Sequence, residues 1–204
     1  TLTTTCTQID LHKLFTGGFS TGHGYLREPQ DIASYSALCC IAIQANQNDQ
    51  HGGQSIPCFD YYLSDGVRKT YKKRYAENLV KAADFLAPEI ADGLKEKVKA
   101  IWTDALHPEM ADCGYQAAEE KFLLSLGVSP ETAGKMQGFA RKEAEKETDR
   151  ATYQAMEALV HNLNTMNSRA GSQVPFSSIN YGTDTSPEGR MVMKNVLLAT
   201  EAGL

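Results

Sequence analysis

Two segments of this chain have the composition of β-strands, and they lie at its two ends. Residues 3–11, Thr-Thr-Thr-Cys-Thr-Gln-Ile-Asp-Leu, are rich in β-branched residues and hold neither Gly nor Pro. Residues 173–181, Gln-Val-Pro-Phe-Ser-Ser-Ile-Asn-Tyr, carry their proline near the start, where a strand tolerates it. The first does not alternate cleanly between apolar and polar residues, and the second is polar along much of its length. Strands of this kind suit the lining of a cavity or cleft. Nearly everything between them has helical periodicity, and two strands cannot form a sheet that supports so much helix. The pattern predicts a helix-rich α/β fold that is a partial segment of a larger α/β protein.

The helical signals are local and specific. Asp31 caps a helix with Ile32, Tyr35, Leu38, Cys39, Ala42 and Ile43 at helical spacing, ending before the polar stretch Asn46–Gln54. Another helical region starts near Val67 and breaks near Pro88, with Leu79, Ala83, Leu86, Ile90, Leu94 and Ile101 on its apolar face. The run Arg68, Lys69, Lys72, Lys73, Arg74 at its start reads as a solvated helix face rather than an anion site. The stretch Met110–Leu126, interrupted by Gly114, closes at Gly127. Ser129-Pro130-Glu131 then opens a helix that runs to about Asn167. Thr152, Met156, Leu159, Leu163 and Met166 form one stripe along it, a core or subunit contact. Ser186-Pro187-Glu188 opens a last helix. The expected order within a single unit, 1–204, is a strand near 3–11, helices over about 31–167, a strand near 173–181 and a helix over 187–202.

Charge and cysteine usage exclude several functions. Twenty basic against 25 acidic residues leave a net charge of −5, which argues against DNA binding or membrane-surface binding as the main activity. No apolar run approaches the roughly 18–20 residues of a membrane span, and no basic-then-apolar leader opens the chain. A cytoplasmic location is expected. Five cysteines are an odd number without framework spacing, and neither C-x-x-C nor H-E-x-x-H occurs. No disulfide scaffold and no metal site are expected.

Three places carry candidate chemistry. Cys6 sits mid-strand among hydroxyls and Gln8, a polar setting for a residue type usually buried. In His51-Gly52-Gly53-Gln54-Ser55-Ile56-Pro57 the glycines read as a turn that lets backbone approach a ligand and leads into a helix. Gly53 would supply the close approach, and Gln54 and Ser55 polar contacts to a nucleotide or phosphate, near Cys6. In residues 169–180, the polar side chains Gln173, Ser177, Ser178 and Asn180 could read a sugar or a base.

These residues also carry a resemblance. The blocks Thr-Cys-Thr-Gln-Ile-Asp-Leu (5–11), His-Gly-Gly-Gln-Ser-Ile (51–56) and Asn-Ser-Arg-Ala-Gly-Ser-Gln-Val-Pro-Phe-Ser-Ser-Ile-Asn-Tyr-Gly (167–182) resemble the catalytic subunit of anaerobic (class III) ribonucleoside-triphosphate reductases, which are glycyl radical enzymes. The likeness runs the whole length. The last block is the most distinctive, and the formate-lyase relatives among glycyl radical enzymes fit it less well.

The resemblance implies part of a ten-stranded α/β barrel, with a finger loop inside it in the whole enzyme. It implies ribonucleoside triphosphate substrates, dNTP or ATP effectors, a radical-SAM activating enzyme and a homodimer. A thiyl on the finger loop takes the 3′ hydrogen of the ribose, the 2′ hydroxyl leaves as water, and a second cysteine supplies hydrogen; Cys6 resembles that second cysteine. The radical glycine, the finger-loop cysteine and the zinc-binding cysteines have no counterpart here, so no cofactor is expected within the chain. Formate is the implied reductant, and the chain alone is expected to be inactive. The alternative from a different class is a non-catalytic helical module for dimerisation and nucleotide sensing, served by the 152–166 stripe and the basic run. An uncovered sheet edge also predicts self-association through the helices between Asp65 and Asn167.

Overall fold

The computed structural model describes residues 5–20, 22, 24–111, 114–167 and 173–203. Thr3 and Thr4 of the first predicted strand, His23, Cys113, and Ser168-Arg169-Ala170-Gly171-Ser172 of the third block lie outside the described residues. The fold is α/β and helix-rich, and the chain divides into two compact units. The first joins residues 1–67 to 150–204, and the second comprises 68–149. Among the described residues, no helix is long and apolar enough to cross a membrane.

In the first unit, β1 (Thr5–Gln8), β4 (His51–Ile56) and β5 (Ser177–Ile179) form a parallel sheet in the order β1-β4-β5. Two short strands, β2 (Phe19–Ser20) and β3 (Tyr25–Leu26), pair as an antiparallel ribbon in the glycine-punctuated loop. The sequence predicts two strands in the main sheet, and the third corrects that reading. The Gly52-Gly53 segment is its central strand, not a turn opening a helix. Both end strands are shorter than predicted, and α1 (Leu11–Phe15) occupies the end of the first.

Parallel strands need long crossover connections. The first contains α2 (Ile32–Asp49), which runs past its predicted end. Asp31 caps it as expected, its carboxylate accepting from Ser34 N at 2.8 Å and Ser34 Oγ at 2.7 Å. Its buried side, Ile32, Tyr35, Cys39 and Ile43, follows helical spacing. Phe15 of α1 meets the Tyr35 ring edge-on at 5.4 Å.

The second crossover begins with α3 (Phe59–Leu86), which starts a full two turns before Val67. Gly66 explains why α3 passes α2 so closely: a Cβ there would lie 2.9 Å from ring carbons of Tyr35. That crossover ends with α7 (Pro130–Thr165), capped by Ser129. Ser36 Oγ of α2 donates to Ala155 O at 2.7 Å. Thr152, Met156 and Leu159 are buried, whereas Leu163 and Met166 are half-buried. Most of the stripe is thus core, and the predicted subunit-contact surface shrinks to its last two members.

α8 (Pro187–Ala202) starts where predicted, Ser186 Oγ accepting from Gly189 N at 3.1 Å. It buries Met191, Val192, Val196 and Ala199 and leaves Leu197 and Leu198 exposed.

The second unit is helical. It holds the later part of α3, then α4 (Pro88–Ala91), α5 (Leu94–Ala100), α6 (Tyr115–Ser125) and the early part of α7. Pro88 ends α3 as expected, and α6 begins at Tyr115, after Gly114, rather than at Met110. Gly127, at φ +92°, closes α6: Gly127 N donates to Leu124 O and Val128 N to Leu123 O, the Schellman pattern. Tyr71, Tyr75, Leu79, Leu94, Val98, Leu123 and Met136 build the core, with Ala133, Ala140 and Ala144 letting α7 pack closely.

Candidate functional site

Residues paired across parallel strands share a face of the sheet, and successive residues alternate between faces. The registers Thr7↔Gln54↔Ser177 and Gln8↔Ser55↔Ser178 therefore make two rows on opposite faces. The first row is turned to α2. Thr7 Oγ1 donates to Gln50 Oε1 at the end of α2, and Asn46 Nδ2 donates to Gln54 Oε1 at 2.7 Å. The second row presents an amide and two hydroxyls on the other face, at the strand spacing of about 4.8 Å.

Cys6 lies next to that second row, opposite the double glycine. Between Thr5↔His51 and Thr7↔Gln54 the register shifts, so Gly52 and Gly53 together oppose Cys6 in a β-bulge. Cys6 has φ +87°, a left-handed conformation that costs a non-glycine residue roughly 1–3 kcal/mol. Its thiol is exposed and unpaired. Cys39 and Cys40 are buried; burial pushes the Cys39 thiol well up and Cys40 to about 11, which keeps both protonated and inert.

A cleft of about 560 Å³ opens here, lined by Cys6, Gln8, Gly53, Ser55, Phe176 and Ser178, with Thr7, Gln54 and Ser177 of the first row also bordering it. Among the described residues, none that lines it is charged and none is a histidine. The surface instead suits a neutral, hydroxylated ligand, with Phe176 as an exposed apolar wall. Among the described residues, no group of three His, Cys, Asp or Glu side chains converges to hold a metal.

The predicted residues are brought together unequally. Cys6, Gly53, Ser55 and Ser178 meet at the cleft. Gln54, read as a ligand contact, also borders the cleft, but its Oε1 accepts from Asn46 Nδ2 on the α2 side and its Nε2 is buried without a partner. Asn180 lies just beyond β5, and its backbone does the joining: Asn180 N donates to Ile56 O at 3.0 Å and its carbonyl accepts from Phe59 N at 2.8 Å. Gln8 and Phe176 also line the cleft and were not singled out as ligand contacts. Their signal is the sheet register, which requires knowing the partner strands. Asp60 was also missed. Wholly buried, it accepts from Gly182 N and Asp184 N, each at 2.9 Å, and holds the loop after β5. Burial would raise its carboxyl, but these backbone donors outweigh it and hold it below the usual aspartate range.

These features define a class: an α/β unit whose parallel strands present an exposed thiol beside neutral amide and hydroxyl groups. The family model for anaerobic ribonucleoside-triphosphate reductase matches residues 1–204, and the chain belongs to that family. It is 24% identical over 199 residues to the anaerobic ribonucleoside-triphosphate reductase of Salmonella typhimurium, covering 98% of this chain and 20% of that relative. The enzyme of the same name from Enterobacteria phage T4 is 24% identical over 201 residues, covering 98% of this chain and 24% of the relative. The Escherichia coli enzyme is 23% identical over 199 residues. The chain thus spans 20–24% of the length of these relatives.

Proposed function

We propose that this chain supplies the thiol-bearing strand and part of the ribose-facing wall of an anaerobic ribonucleotide reductase. In this reading its sheet is part of a ten-stranded barrel that converts ribonucleoside triphosphates to deoxyribonucleoside triphosphates. The observation that carries it is the exposed Cys6 thiol beside the Gln8–Ser55–Ser178 row, in a cleft whose described lining residues carry no charge. Hydrogen-atom donation needs a thiol held at contact distance from a ribose carbon, with no base to ionise it. A strand fixes that position better than a loop.

The step assigned to Cys6 is homolytic. Its S–H bond breaks, a C–H bond forms at the ribose 2′ carbon from which water has left, and the sulfur is left one electron oxidised. Formate balances the overall reaction as reductant: ribonucleotide and formic acid give deoxyribonucleotide, carbon dioxide and water. Gln8, Ser55 and Ser178 hydrogen-bond the ribose hydroxyls. The radical-generating glycine, the finger-loop cysteine and the zinc site have no counterpart among these 204 residues, so the chain alone is inactive. A homodimer, dNTP or ATP effectors, a radical-SAM activating enzyme and a cytoplasmic location complete the proposal.

The test is Cys6→Ala in the complete reductase. Nucleotide reduction should fall by about a thousandfold or more, the loss of roughly 4 kcal/mol of barrier lowering. The glycyl radical signal in electron paramagnetic resonance should persist. Full turnover in the variant would remove Cys6 from the reaction.

A further inference from the structure

Cys6, at φ +87°, and Gly52, at φ +97°, face each other across β1 and β4 in left-handed backbone conformations. They do so where the register shifts, and a bulge of this kind re-aims the side chain at its level. The two glycines of the bulge are not equivalent. A Cβ on Gly53 would meet only the Phe176 carbonyl oxygen, at 3.9 Å, with ordinary backbone angles. A Cβ on Gly52 would rest on Cys6 Sγ at 3.5 Å and on Cys6 N at 3.6 Å. It would also sit at a φ that side chains rarely adopt. Of the two glycines, Gly52 is the one whose Cβ position lies against Cys6.

We propose that Gly52 is a positioning residue for the Cys6 thiol: its left-handed backbone makes the bulge that aims the sulfur, and its missing Cβ leaves the sulfur's flank open. Gly52 touches no ligand in this scheme and acts only through Cys6. The inference rests on Cys6 being the working thiol. Its test nevertheless reads the sulfur itself, so a failure here is distinct from a failure of Cys6→Ala to stop turnover.

The folded chain is alkylated with iodoacetamide, and modification of each cysteine is followed by mass spectrometry. Buried Cys39 and Cys40 report whether the fold is intact. Gly52→Ala adds the Cβ and strains the backbone, whereas Gly52→Asn adds it in a residue that accepts left-handed φ more readily. Both should slow Cys6 alkylation by about fivefold or more with Cys39 and Cys40 still protected. Gly53→Ala should leave the Cys6 rate within about twofold. If Gly52→Ala alone exposes Cys39 and Cys40, the Asn variant decides. Wild-type Cys6 rates in the folded variants overturn the proposal, and so does equal slowing by Gly53→Ala. Loss of Cys39 and Cys40 protection in both Gly52 variants overturns it as well, because Gly52 would then support the whole fold rather than one sulfur.

Discussion

Asp60 in the first unit and Glu119 in the second are both fully buried carboxyl groups, yet their proton affinities are shifted in opposite directions. Asp60 accepts from two backbone N–H groups and, at 3.4 Å, from the Thr183 hydroxyl. Fixed backbone dipoles favour its charged form strongly enough to outweigh burial. Glu119 accepts from Tyr75 OH at 2.6 Å, Tyr115 OH at 2.7 Å and Gln137 Nε2 at 3.0 Å, all neutral side chains in a helical core. There burial dominates and raises its carboxyl, despite the three donors. Burial and then the neighbouring carboxylate raise the phenols of Tyr75 and Tyr115 as well.

The two carboxyls do different work. In the unit that bears the cleft, an ionised carboxylate ties down the loop following β5, beside an open polar sheet face. In the other, a carboxyl joins side chains from α3, α6 and α7 inside a sealed core. That network extends to Trp102, whose Nε1 donates to Tyr115 OH at 2.9 Å.

The largest stability effect should come from the sealed unit. Glu119→Ala leaves three buried donors without their acceptor and opens a cavity, and should cost about 3–5 kcal/mol in urea unfolding. Hydrogen exchange should rise chiefly between residues 68 and 149. A loss below about 1 kcal/mol would mean the core closes over without Glu119. Asp60→Ala should cost less, about 2–3 kcal/mol, since one end of its site is a loop that can relax and hydrate. Its exchange signature should concentrate near β5 and residues 182–190. Exchange spread evenly over both units would break the comparison.

The smallest effect is the dependence on pH, and its sign separates the two groups. The folded chain binds the Glu119 proton more tightly than the unfolded chain does. That contribution is complete below the ordinary glutamate value and is lost as pH rises through the raised folded value. Asp60 behaves oppositely. Its contribution is present above the ordinary aspartate value and is lost as pH falls through the lowered folded value. Urea midpoints against pH should therefore lose a decline on the alkaline side in Glu119→Gln, and one on the acid side in Asp60→Asn. The same flattening in both variants would show that the two sites are not opposed.

Much of the helical architecture was legible because its signals are local. Asp31, Ser129 and Ser186 cap the helices they were read to cap, Pro88 ends one, and Gly127 closes another. The start of α3 was not legible. Asp60, Ser64, Asp65 and Gly66 interrupt its apolar pattern, and only the packed structure shows why Asp60, Ser64 and Gly66 are buried there. The His51–Ile56 strand was missed for a related reason. Two adjacent glycines argue for a turn, and strand formation here depends on hydrogen bonds to residues 5–8 on one side and 177–179 on the other.

The sequence by itself determined the caps and breaks of the helices, the α/β class, the candidate thiol and, through its distinctive blocks, the family. Each of these depends on residue identity and near neighbours along the chain. Only the tertiary structure decided which side of the sheet each polar residue serves. The register turns Gln54 to α2, keeps Gln8, Ser55 and Ser178 together on the cleft side, and sets Gly52 rather than Gly53 against the sulfur of Cys6. A register is a relation between distant segments, and a shift of one residue reverses every face, so local patterning cannot specify it.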